Sequence, residues 1–138
     1  MTRLFLDANV VIDLLAERHP FSDDAALLFA EAYHKRVQLF VSPITFATAS
    51  YLLGKHHSYT EVRGLLSNLR ELVRVAAADE RVVDDAIISG FSDFEDALQY
   101  YSAKKAKAEF IITRNIKDFA LSQIPVMTAA EYLAMGKR

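Results

Sequence analysis

The sequence predicts an α/β fold in which helices cover a central, mainly parallel sheet of about five strands, and three observations carry that prediction. Segments of strand type and helix type alternate along the chain, the pattern of a sheet clothed in helices. Two apolar runs, Leu4-Phe5-Leu6 and Phe110-Ile111-Ile112, are continuous, as in central parallel strands buried on both faces. Each run ends in polar residues, at Asp7 and Thr113, so both ends are expected at one carboxyl edge of the sheet, facing one cleft. A chain of 138 residues, 52% hydrophobic and 25% charged, suits one buried core, and residues 1–138 are expected to form a single domain.

The elements follow in order. The first strand is read over Arg3–Leu6, and the helix-like stretch from Asn9 to Leu15 follows it, with Asp7 or Asn9 suited to cap it. Pro20 separates this helix from a second one within Phe21–Arg36, where Leu27, Leu28, Ala30, Glu31 and Tyr33 fit helical spacing after the capping sequence Ser22-Asp23-Asp24. A strand over Gln38–Ser42 leads into Ser42-Pro43, a helix start with Ser as N-cap and Pro in the first helical position, continuing to about Lys55. After the connector His56-His57-Ser58, Tyr59–Val73 is amphipathic, with Val62, Leu65, Leu66 and Leu69 on one face.

A strand over Arg74–Ala77 comes next, then a helix capped by Asp79, running through Ile88 and ended by Gly90. Asp93-Phe94-Glu95-Asp96 opens a further helix, Phe110–Thr113 is a strand, and a short strand lies near Ile124–Met127. Thr128-Ala-Ala-Glu131 reads as a capping box for a final short helix.

Bulk properties exclude several classes. With no cysteine, disulfides, thiolate chemistry and Cys-based zinc sites are ruled out. No apolar run approaches the roughly 18 residues of a membrane span, and Met1-Thr2-Arg3 leads directly into a core strand rather than a signal peptide. A soluble, cytoplasmic protein is expected. The net charge of −2 argues against a globally basic nucleic-acid surface but leaves room for a local patch. Only four glycines are present, and no phosphate-binding glycine loop, dinucleotide turn or Gly-x-Ser-x-Gly elbow occurs.

What remains is acids. Asp7 follows the first strand, Asp93 and Asp96 stand three residues apart at a helix start, and Asn115 and Asp118 follow the Phe110–Thr113 strand. Singly, each has a bland explanation as a cap, turn or solvated side chain. Their recurrence at ends that the fold brings together points instead to oxygen ligands for a hard cation, Mg²⁺ or Mn²⁺, which takes a few carboxylates and bridges to phosphate. Without an ion, crowded aspartates repel and some take up protons. A phosphatase of the haloacid dehalogenase type would need a second Asp where Asn9 stands. The adjacent His56 and His57 make a poor ligand pair, and His19 and His34 suit surface or capping roles.

Taken in order, Leu6-Asp7-Ala8-Asn9-Val10-Val11-Ile12-Asp13, Val41-Ser42-Pro43-Ile44-Thr45, Glu95-Asp96-Ala97-Leu98-Gln99 and Ile112-Thr113-Arg114-Asn115 resemble the PIN-domain family, which includes the VapC-type ribonucleases of bacterial toxin–antitoxin pairs. The resemblance implies a three-layer α/β/α sandwich and an acidic pocket for one or two divalent ions. It places Asp7 and Asp96 as catalytic and metal-binding acids, with Asn9 and Thr113 beside the pocket. Two departures stand out: Thr48 occupies a position where the family often has Glu, and Asn115 replaces an acid, with Asp118 a turn later able to supply the missing carboxylate.

The expected activity is therefore metal-dependent hydrolysis of RNA phosphodiesters. Asp7, Asp96 and Asp118 are the catalytic acids, Asn115 joins them in holding metal, and Asn9, Thr48, Asp93 and Thr113 support them. Arg114, Lys117 and Lys104 are candidates for holding the RNA backbone. The alternative is a catalytically weak module that binds RNA or an antitoxin-like protein. An antitoxin partner and a homodimer are expected, the latter also from the apolar, aromatic-rich composition.

Overall fold

The computed structural model describes residues 1–136. Five strands, β1 (Thr2–Leu6), β2 (Val37–Val41), β3 (Val73–Val75), β4 (Phe110–Ile112) and β5 (Val126–Met127), form one all-parallel sheet in the order β3-β2-β1-β4-β5. The helices are α1 (Ala8–Leu15), α2 (Phe21–Tyr33), α3 (Pro43–Leu53), α4 (Tyr59–Leu72), α5 (Glu80–Ile88), α6 (Phe94–Lys105) and α7 (Ala129–Met135). A short 3-10 helix spans Ile116–Phe119.

Side-chain alternation along the buried strands sorts the core into layers. Leu4 and Leu6 of β1, Leu39 and Val41 of β2 and Ile112 of β4 face Val10, Val11, Leu28 and Phe29 of α1 and α2. Tyr132 and Leu133 of α7 pack on the same side. Phe5, Phe40 and Ile111 point the other way, onto Tyr100 and Ala103 of α6 and onto Phe119. The result is the three-layer α/β/α arrangement. A third cluster joins α1, α3 and α4 through Ala8, Ile12, Ala49, Leu53 and Val62. Among the described residues, no helix is long and apolar enough to cross a membrane.

The strand order reverses at β1, which pairs with β2 on one side and β4 on the other. Register pairs Leu6 with Ile112, so Asp7 and Thr113 leave the sheet side by side, and the Asp7 N–H donates to the Ile112 carbonyl at 3.0 Å. A crevice at such a reversal is where open α/β sheets bind ligands.

Local chemistry agrees with most of the expected boundaries and corrects three details. The Ser22-Asp23-Asp24 sequence is not the cap of α2: Pro20 occupies the N-cap position, and the acids lie in the first turn, where they complement the helix dipole. Ser42 is the N-cap residue of α3, but its hydroxyl donates to Gln99 Oε1 instead of accepting from the helix. Gly90 does not end α5 through a left-handed conformation; the Ser89 N–H and hydroxyl both donate to the Ala86 carbonyl. The expected capping box at Thr128 and Glu131 is present, and Ser58 and Glu61 form a second one at the start of α4.

Candidate active site

Asp7 is both the N-cap of α1 and the centre of a buried polar network. Its Oδ1 accepts from the Ala8 N–H at 2.8 Å and from Gln99 Nε2 at 3.4 Å. Its Oδ2 accepts from the Thr113 hydroxyl at 2.8 Å and from Asn9 Nδ2 at 3.3 Å. Each oxygen thus has one short bond of 2.8 Å and one long contact of 3.3 or 3.4 Å, all from neutral donors. Burial raises the Asp7 pKa, while the bonds from Thr113, Ala8 and Gln99 oppose that rise.

Thr113 and Asn9 are themselves held. Thr113 Oγ1 accepts from Asn9 Nδ2 at 3.2 Å and from the Asn115 N–H at 3.0 Å, and Asn9 Oδ1 accepts from the Arg114 N–H at 3.3 Å. Asn115 therefore joins the network through its backbone, and its side chain is exposed.

Asp93 and Asp96 play different parts at the start of α6. Asp93 is the N-cap of α6, its Oδ1 accepting from the Asp96 N–H at 3.0 Å, whereas Asp96 lies within the first turn. Asp96 is half-buried, and its pKa is raised to about 7 by that burial first, then by the charges of Asp93, Asp7, Asp118 and Glu95. Glu95 is shifted in the same direction by burial and by Asp93 and Asp7. The exposed Asp118, on the 3-10 helix, raises Asp7 as well. Five carboxylates from three segments thus share one electrostatic field, and among the described residues none forms an ion pair.

Other candidates are placed differently. Arg114 is committed to Asp13, a residue 1% exposed, through bonds of 2.6 and 3.0 Å, and its guanidinium lies 4.1 Å from the Phe21 ring centroid. Lys104 stands eight residues beyond Asp96, about 12 Å along α6, with its ammonium over the rings of Tyr100 and Tyr101. Lys117 is exposed beside Asp118. From α3 it is Thr45, not Thr48, that reaches the network: its Oγ1 accepts from Gln99 Nε2 at 3.0 Å, while Thr48 lies nearly one turn further along, half-buried.

Gln99, Thr45 and Ser42 were not among the site residues expected from sequence. Gln99 is fully buried and joins Asp7, Thr45 and Ser42 across three elements. The usable signal was a polar residue one helical turn after Asp96, on a helix whose neighbouring residues are apolar.

A PIN-domain family model matches residues 3–117, across β1, the acidic edge and the 3-10 helix. The chain belongs to the PIN-domain family. Ribonuclease VapC1 of Aquifex aeolicus (strain VF5) is 30% identical, with 94% of this chain and 92% of that protein covered. Among solved structures, VapBC-1 of nontypeable Haemophilus influenzae has a TM-score of 0.67 at 19% identity, covering 94% of this chain and 99% of the matched one. A toxin–antitoxin complex from Klebsiella pneumoniae also gives 0.67, at 24% identity, covering 91% and 97%. At those identities the two structures speak for the PIN fold alone.

Proposed function

We propose that this PIN domain is a divalent-metal-dependent endoribonuclease that hydrolyses RNA phosphodiesters, and that it is the toxin of a toxin–antitoxin pair. The observation that carries the reading is the buried Asp7 carboxylate at the carboxyl edge of β1, held by Thr113, Asn9 and Gln99, with Asp96 and Asp118 in its electrostatic field and no cation paired to any of them among the described residues. The relative named as a ribonuclease supports the reaction class, and the toxin–antitoxin complexes among the fold neighbours support an antitoxin-like protein partner. Exposed Val83, Ile87 and Ile88 on α5, with Phe94 at the start of α6, support a homodimer.

The donor set is all oxygen and strongly acidic, which fits Mg²⁺ or Mn²⁺. Among the described residues, no three His, Cys, Asp or Glu side chains are grouped to hold a metal ion, so water and substrate phosphate would have to supply most of the coordination of any ion. Asp7 and Asp96 would hold it, with Asp118 or Asn115 assisting directly or through water. Such an ion, when bound, lowers the pKa of its water and offsets charge on the phosphate. Thr113, Asn9 and Gln99 fix the direction of the Asp7 carboxylate, and Asp93 holds the first turn of α6 that carries Asp96. Asp96, poised near neutrality, would hold a proton on its own carboxyl when no cation is near. Lys117 is exposed and forms no ion pair among the described residues, so it is a candidate to meet a phosphate.

The second reading, a binding module for RNA or an antitoxin-like protein, is favoured by the same lack, among the described residues, of side chains grouped to hold a metal ion and by the uncharged Thr48 and Asn115. Incubating several RNAs with the protein in Mn²⁺, Mg²⁺ or EDTA decides between them. The nuclease cuts with metal and not in EDTA. Asp7→Asn and Asp96→Asn each nearly abolish cutting, and the double variant is little worse than either. No cutting by the wild type across the panel removes the nuclease reading.

A further inference from the structure

We propose that the turn joining α3 to α4, together with the end of α1, is a docking strip for single-stranded RNA. It deepens the nuclease reading and rests on it for the substrate class. A depression of about 520 Å³ lies here, lined by Ala16 and Arg18 beyond α1 and by Leu52, Leu53, Lys55, His56 and His57. No acid lines it, in a chain whose net charge is −2. Beside it stand Tyr51 and Tyr59, 70% and 71% exposed. The Lys55 ammonium lies 5.0 Å from the Tyr51 ring centroid, and the Arg63 guanidinium 4.3 Å from that of Tyr59.

Cations at the ends of α1 and α3 have an ordinary use in meeting the negative end of each helix. That use does not account for two aromatic side chains so largely exposed beside them, each with a cation over one face of its ring. Cations that follow a backbone, with rings on which bases stack, form the combination that binds single-stranded nucleic acid without reading sequence. An acidic peptide would use the cations but not the rings, so the strand is the better occupant. Among the described residues, Arg18, Lys55 and Arg63 form no ion pair that would neutralise them.

The strip is tied to the Asp7 side of the sheet through α1. α3 departs from the carboxyl end of β2 and packs on α1, Ala49 and Leu53 against Ala8 and Ile12. The junction of α3 and α4 lies beside the end of α1, since Ala16 and Arg18 line the same depression as Lys55, His56 and His57. The eight residues of α1, about 12 Å, separate Asp7 from the depression, a span of about four stacked nucleotides at roughly 3.4 Å each.

Fluorescence anisotropy of a labelled 12-nucleotide RNA in EDTA, using the full chain, tests the strip without cleavage. The Arg18→Ala/Lys55→Ala variant is expected to bind more weakly and to lose about 1.4 from the slope of log affinity against log salt. Tyr51→Ala/Tyr59→Ala is expected to lose at least about tenfold in affinity. All four side chains are exposed, and unchanged melting temperatures verify folding. In Mn²⁺ the same variants raise KM on the 12-mer and leave kcat unchanged, while a trinucleotide is cut equally by all. Wild-type affinity in both variants, or no RNA binding by the wild type, overturns the strip. So does polyglutamate binding that depends on the cations while RNA binding does not, which identifies an acidic protein as the occupant. Cutting by the wild type with both variants unaltered removes the strip alone; RNA binding lost in the variants, with no cutting by the wild type, removes the nuclease alone.

Discussion

Thr113 Oγ1 donates a 2.8 Å hydrogen bond to Asp7 Oδ2 across the paired ends of β4 and β1. The bond joins residues 106 positions apart and gives the buried carboxylate a neutral donor where no cation is paired with it. It also explains why two apolar strands must end in register: a shift of one residue would turn Thr113 away from Asp7.

Thr113→Val keeps the shape of the side chain and removes that donor. With the Asp7 carboxylate still buried, the variant is expected to lose about 2 kcal/mol of stability near neutral pH, the usual worth of a hydrogen bond to a charged group. Urea unfolding at pH 7.5 measures it. Double mutation with Asp7→Asn should recover part of the loss, because the neutral amide no longer needs the donor; strictly additive losses would show that the bond contributes little.

Gln99 tests whether the network behind Asp7 serves the metal. The Ser42 hydroxyl donates to Gln99 Oε1, which fixes Nε2 toward Asp7 and Thr45. Gln99→Met preserves approximate volume and is expected to weaken Mn²⁺ binding by about tenfold, as removal of partners behind metal ligands does. Titration calorimetry on the folded variant reads this directly. Unchanged Mn²⁺ affinity with a lowered melting temperature would assign Gln99 to packing alone.

These residues also mark how far the sequence can be read. The strand ends were legible because continuous apolar runs stop abruptly at Asp7 and Thr113, and the capping box at Thr128 was legible because its two members are local. Gln99 was legible only as a polar residue one helical turn after Asp96; that spacing does not tell that its side chain enters the core and meets Asp7, Thr45 and Ser42. The Asp13–Arg114 pair was missed for a related reason: its members are 101 positions apart and meet only when β4 lies beside β1. Thr48 is the residue at the family-matched position, whereas the hydroxyl that reaches Gln99 from α3 is that of Thr45, three residues earlier.

Arg114 separates a fold-holding role from contact with RNA. Arg114→Met strands the buried Asp13 carboxylate and is expected to destabilise the protein by about 2–3 kcal/mol. That lies at or below the roughly 3–5 of a fully buried pair, because solvent still reaches the guanidinium. Asp13→Asn/Arg114→Met should be more stable than the single Arg114 variant. If Arg114→Met instead keeps its melting temperature and loses RNA affinity, the arginine serves the substrate.

The acidic edge gives the protein a distinctive pH dependence in EDTA. Asp96 titrates at about 7 in the folded chain against an ordinary 3.8, so the folded state binds the proton more tightly than the unfolded state does. That contribution to stability is fully present below about pH 3.8 and is lost as pH rises through about 7. Asp7, also raised, acts with the same sign. Other groups add their own trends, so the informative quantity is the difference between wild type and Asp96→Asn. The variant is expected to gain in melting temperature relative to wild type as pH goes from 5 to 8, because it cannot acquire the crowded charge. Mn²⁺ should reverse the order, stabilising the wild type more at pH 8 than at pH 5 and the variant little at either. Parallel melting curves for the two proteins across this range, with and without Mn²⁺, would show that Asp96 stands neither in the field of Asp7 and Asp118 nor at a metal site.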